Sequence, residues 1–190
     1  MCGFHEQCKN QILQACEQAR RKNVLRDIES YNDEMTVSQA ARFFERQGVA
    51  LTKTMIQNYI RVGVLPPPKD KRRYTQDHLA PLAIIEDLKG QYSLEEIKAA
   101  FALIFHGESV NAKKIYAGYM TLCETALEEF IRELPGLLEK ARGVTGDLEL
   151  REEEQERFFY GVTILTLMAQ SAALKQITRR LMETMDDSRL

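Results

Sequence analysis

Lys53, Thr54, Gln57, Asn58 and Arg61 fall one, four, five and eight positions from the first of them, so on a helix they share one face. The types on that face suit nucleic acid. Gln57 and Asn58 each carry a paired donor and acceptor able to read an adenine edge, and Lys53 and Arg61 can neutralise phosphate. Met55, Ile56, Tyr59 and Ile60 take the other side and should turn to a core, the ordinary position for an aromatic such as Tyr59. Thr52 is placed as N-cap and Gly63 as the residue after the C-cap, so the spacing predicts a helix over Lys53–Val62. Val64-Leu65-Pro66-Pro67-Pro68 then forces an extended exit into Lys69, Lys71, Arg72 and Arg73. This basic turn is the natural partner of the helix on phosphates. Over Leu51–Tyr74 six cations face Asp70 alone, a charge of +5, in a chain of net charge −2. Segregated positive charge on an otherwise acidic chain is the footprint of a polyanion site.

Around that stretch the elements follow from capping signals. Asp27 to Glu34 reads as a polar connector, and Thr36 caps a helix that turns Val37, Ala40, Ala41 and Phe44 inward before Gly48 ends it. Val49-Ala50-Leu51 makes the short turn of a helix-turn-helix. Thr75 caps a helix over Gln76–Lys89 with Leu79, Leu82, Ala83, Ile85 and Leu88 inward, and Ser93 with Glu96 forms a capping box for a helix to Phe105. His78, three positions past the cap, is expected on the surface or near a phosphate. The arrangement is that of a winged-helix domain over residues 35–107, following an N-terminal helix and connector over 1–34.

Several of these pieces carry a resemblance. Met35-Thr36-Val37-Ser38-Gln39-Ala40-Ala41 with Gly48-Val49, then Tyr59-Ile60-Arg61-Val62-Gly63-Val64-Leu65-Pro66-Pro67, then Arg72-Arg73-Tyr74-Thr75, and the run from Tyr92 to Ile97 resemble the DNA-binding domain of MerR-type transcriptional regulators. The stretch is also similar to a small bacterial family with a MerR-like core of the form LTKTMI, LPPP and YT. The resemblance implies duplex DNA binding as a dimer, with the second helix in the major groove and the wing on the backbone. Gln57 stands where the MerR pattern has a DNA-contacting arginine, Asn58 replaces the first of two tyrosines, and the wing is short. These departures point away from the standard operator geometry and from activation by DNA twisting.

The remaining residues, 108–190, read as a helical region for dimerisation and effector response. Val110 to Leu134 is amphipathic, Pro135-Gly136 should break it, a short helix should reach Arg142, and Gly143 to Gly146 should form a loop. Asp147 is placed to cap a last helix over Leu150–Met185, about 50 Å long at 1.5 Å per residue. Its residues Ile164, Leu165, Leu167, Met168, Ala172, Ala173 and Leu174 point nearly all round, so a homodimer through these helices is expected. Tyr116, Tyr119, Cys123 and Phe130 are the candidate lining of a small-molecule effector pocket, with plain core as the alternative reading of the same stripe.

Composition sets the outer bounds. At 190 residues and 44% hydrophobic the chain can bury a core, and the mainly all-α pattern leaves little room for sheet. The longest apolar run, Phe158 to Leu174, is broken by Thr163, Thr166, Gln170 and Ser171 and falls short of the ~20 residues of a bilayer span, so no membrane segment is expected. Four cysteines without a CxxC pair suit free thiols in the cytoplasm. Cys2, His5, Cys8 and Cys16 lack the spacing of a zinc site, so neither metal nor cofactor is expected. No phosphate-cradling glycine loop and no nucleophile with a base and its orienter can be traced, which argues against an enzyme. The resulting expectation is a dimeric, sequence-specific DNA-binding regulator. The alternative is a helical adaptor whose winged-helix domain does not bind DNA.

Overall fold

A computed structural model describes residues 2–26, 34–68, 70, 72–105 and 111–187, without the side chains of 2–6, 8, 152, 186 and 187. The described chain is mostly helical: α1 (Cys2–Gln18), α2 (Val37–Arg46), α3 (Lys53–Arg61), α4 (Gln76–Leu88), α5 (Leu94–Ile104), α6 (Ala112–Gly146) and α7 (Glu152–Asp187). Among the described residues the β pairing is an isolated antiparallel bridge between Met35 and Tyr74. Two compact units result, Arg21–Leu122 and Met1–Arg20 with Cys123–Leu190. The division therefore falls at 20/21 and 122/123, where sequence placed it at 34/35 and 107/108. α1 groups with the C-terminal helices, and α6 contributes to both units.

The core of Arg21–Leu122 is organised by α4, on which every residue from His78 to Ile85 is buried. A helix apolar on all sides needs cover on several sides. α2 supplies Ala40, Phe43 and Phe44, α3 supplies Ile56 and Tyr59, α5 supplies Ile97 and Phe101, and the start of α6 supplies Ala112 and Tyr116. The helix ends are defined locally. Thr36 accepts from Gln39 N–H while the Gln39 side chain accepts from Thr36 N–H, and Ser93 with Glu96 repeats the device on α5. Gly48, at φ 81°, follows the C-cap of α2, where Val49 N–H donates to Phe44 C=O and Gly48 N–H to Glu45 C=O. That pairing closes the helix and redirects the chain into α3.

The second unit has its own core of Cys16, Leu134, Leu138 and Phe159, joined by Ile12, Leu13, Phe130, Ile131 and Tyr160. Arg20 pairs with Glu124, and Tyr160 hydrogen-bonds Gln11. Four expectations are corrected here. α1 ends at Gln18, well before the connector expected from Asp27, and Val24 and Leu25 pack in the first core instead. α6 runs unbroken through Pro135, Gly136 and Gly143. Leu134 and Leu138 are buried on either side of an exposed Pro135, so tertiary packing outweighs the missing N–H and ring clash. Residues 143–146 are helical too, with Thr145 Oγ1 donating to Ala141 C=O at 2.8 Å. Asp147 does not cap α7, which begins at Glu152; the Glu154 carboxylate accepts from the N–H of Arg151, the residue just before the helix, at 3.1 Å.

α7 is 36 residues long, about 54 Å. Phe159 and Thr163 are buried, but Ile164, Leu165, Met168, Leu174, Ile177, Leu181 and Met185 are exposed. The stretch Glu153–Met185 is long and apolar enough by composition to cross a membrane, and 11% of its most apolar window is buried. The sequence reading, which counted only the run from Phe158 to Leu174 with its polar interruptions, placed it short of that length.

Candidate nucleic-acid interface

α3 forms where Thr52 caps it, its hydroxyl accepting from Met55 N–H at 3.2 Å. At the other end Gly63, at φ 74°, allows Val64 N–H to donate to Tyr59 C=O and Gly63 N–H to Ile60 C=O, both at 3.0 Å. A side chain at 63 would be strained and would press on Lys98 Nζ, 3.0 Å from the position of its Cβ. Lys98 Nζ also donates to Val62 C=O, so α5 brings a cation to the C-terminal end of α3. Sequence spacing gave no sign of this residue, because its position depends on how α5 packs.

Lys53, Thr54, Gln57 and Arg61 are exposed and Asn58 is half-buried, while Ile56 and Tyr59 on the opposite side are buried. Arg61 Nη2 donates to Asn58 Oδ1 at 2.6 Å, which holds both side chains on the helix surface. Tyr59 anchors the helix from below: its hydroxyl donates to Glu86 Oε1 at 2.8 Å, and Lys89 Nζ meets Glu86 Oε2 at 2.5 Å. Burial, then the Glu86 carboxylate, push the Tyr59 phenol well above its ordinary value.

The exit from α3 is equally tied down. Val64 and Leu65 are buried, and Tyr74 exchanges two backbone hydrogen bonds with Met35, at 2.8 and 2.7 Å. Asp70, at φ 57°, makes the turn between them. His78 is buried, not at the surface as its sequence position suggested. Thr75 N–H donates to His78 Nδ1 at 3.2 Å, so that nitrogen carries no proton, and Nε2–H faces Pro67 C=O at 3.4 Å. The ring thereby caps α4 and ties it to the proline run. Arg72 and Arg73 are exposed, and Arg73 Nη1 pairs with Glu34 Oε2 at 2.6 Å. Lys69 and Lys71 lie outside the described residues.

The four residues of the candidate effector pocket divide between the two cores. Tyr116 is buried in the first and Tyr119 packs against it with ring centroids 6.4 Å apart, whereas Phe130 packs in the second and Cys123 is a half-buried free thiol. Tyr119 donates to Asp87 Oδ2 at 3.2 Å, and the Arg21 guanidinium lies 5.6 Å from its ring centroid. Tyr116 lines a cavity of about 80 Å³ with Lys22, Val24, Phe44, Val49, Ala83, Glu86 and Asp87. That is well below the ~300 Å³ of a typical small-molecule site. Among the described residues no three His, Cys, Asp or Glu side chains come together to hold a metal. The side chains of Cys2, His5 and Cys8 lie outside the described set, and Cys16 is buried, which pushes its thiol pKa up.

Residues 10–119, more than half of the chain, match a family described as a domain of unknown function, DUF1836. The chain belongs to that family. The matched segment of this DUF1836 member contains α2 to α5 entire, with the capped α3 and the basic turn, while α7 lies beyond it. No curated protein and no solved structure matches the chain.

Proposed function

We propose that this DUF1836 protein is a dimeric, sequence-specific double-stranded DNA-binding transcriptional regulator, acting in the cytoplasm without catalysis. In this reading α2, the turn and α3 form a MerR-like helix-turn-helix, and residues 64–74 are its short wing. The observation that carries it is the exposed, acid-free face of α3, whose reverse side is buried and whose both ends are capped. A rigid helix presenting Lys53, Thr54, Gln57 and Arg61 can enter a major groove without ordering cost. Gln57 then reads a base edge through its amide. Asn58 can do the same once Arg61 exchanges it for a phosphate, and Arg72 and Arg73 with Lys69 and Lys71 hold the backbone. Thr54 suits a phosphate or a base edge equally.

The test is retention of fragmented genomic DNA by the purified protein, beside an Arg72→Glu/Arg73→Glu variant. The wild type should retain a defined subset of fragments and the variant none. Equal retention by both would mean that the basic turn is not a DNA surface. The exposed apolar residues of α7 favour a second reading, a helical adaptor whose partner covers that helix. Under it the charge-reversed variant keeps full activity.

A further inference from the structure

Along α7, Glu154, Phe158, Gly161, Leu165, Met168, Ala172, Lys175 and Arg179 recur at alternating intervals of four and three, the spacing of a helix-pairing seam. Phe158, Leu165 and Met168 on this stripe are exposed by 38, 64 and 63%, and Ala172 is exposed as well. A Cβ at Gly161 would meet nothing within 4 Å, so the backbone there is open to close approach. The eight positions read the same in both directions about the midpoint between Thr166 and Leu167, but their end charges are opposite. Glu154 closes one end and Arg179 the other.

From this pattern we infer that α7 pairs antiparallel with α7 of a second copy of the chain, about a two-fold axis at that midpoint. Leu165 then meets the partner's Met168, Gly161 meets the partner's Ala172, and Phe158 covers the stem of the partner's Lys175. Glu154 meets the partner's Arg179 at each end. A parallel pair would set Glu154 on Glu154 and Arg179 on Arg179, so charge selects the antiparallel arrangement. A second copy fits better than lipid because Gln170 and Ser171 are exposed within the same apolar length, which hydrocarbon would have to take up unpaired. The two small residues at the seam allow the helices to close on the larger ones. The inference supplies the interface for the dimer in the reading above, and it holds whether or not DNA is the ligand.

Sedimentation of the full chain tests it. The wild type should run at twice the 21.9 kDa chain mass at micromolar concentration. Glu154→Arg or Arg179→Glu alone should weaken association about tenfold, and the two together should restore it to near the wild-type constant. Leu165→Glu, at a position already exposed, should give a monomer with unchanged helix content by circular dichroism. A monomeric wild type overturns the inference. So does a dimer indifferent to all these variants, which leaves dimerisation standing through another surface. Co-sedimentation of a monomeric chain with phosphatidylglycerol vesicles, lost in Leu165→Glu, would overturn it in favour of lipid. Charge-swap rescue in a protein that retains no DNA supports this interface and removes the regulator reading alone.

Discussion

Tyr59 shows how one side chain supports the candidate interface without touching a ligand. Its ring fills the core beneath α3 and its hydroxyl reaches Glu86 on α4, so it fixes the height at which Gln57 and Arg61 are displayed. Tyr59→Phe should cost about 1.5–3 kcal/mol in urea unfolding, the range for a hydrogen bond to a charged group. The pH dependence follows from the raised phenol. The unfolded side chain ionises near 10 and the folded one only at higher pH, so the contribution is complete below pH 10 and lost as pH rises beyond it. Tyr74, raised by burial alone, acts in the same direction. Tyr59→Phe should therefore flatten the alkaline loss of stability without abolishing it. Glu34 has the opposite character: it is exposed, and its pairing with Arg73 competes with any phosphate. Glu34→Gln should leave stability within about 0.5 kcal/mol and tighten DNA binding roughly two- to fivefold, since exposed ion pairs contribute little. The buried position of Tyr59 could be read from its helical spacing. That of His78 could not, because the fold brings Pro67 C=O, from eleven residues upstream, to 3.4 Å of its ring.

At the level of elements, α2 to α5 were legible because their ends are set within a few residues. Thr36, Thr52 and Ser93 cap them as expected, and Gly48 and Gly63 take the positive φ their positions required. α6 shows where that logic stops. Proline and glycine are strong local breakers, yet Phe130, Ile131, Leu134 and Leu138 face a core on both sides of Pro135, and a distributed tertiary gain overrides a local cost. Pro135→Ala should then stabilise the protein by about 1–3 kcal/mol in thermal unfolding, because the exposed ring interrupts a continuous ladder. A loss of stability on that substitution would mean that the chain turns at Pro135 after all. Lys98 was hidden for the related reason that helix packing, not sequence distance, brings it to α3.

At the scale of the molecule, the family match covers the capped helices and the basic turn, whereas the exposed apolar helix lies outside it. In the proposed function these parts have different roles: one reads DNA, and the other joins two copies so that two readers meet a two-fold site. The overall charge of −2 conceals this division, since an excess of cations over acids is concentrated on one stretch. The measurement that bears most directly on the account is the affinity of the full chain for a retained DNA fragment across a salt series, with Arg72→Glu/Arg73→Glu alongside. Contact with ~6–8 phosphates by a dimer predicts that log K falls with log salt at a slope of roughly −5 to −8, and that the variant binds weakly with a shallower slope. Absence of binding at low salt, or the same affinity and slope for the variant, would contradict it.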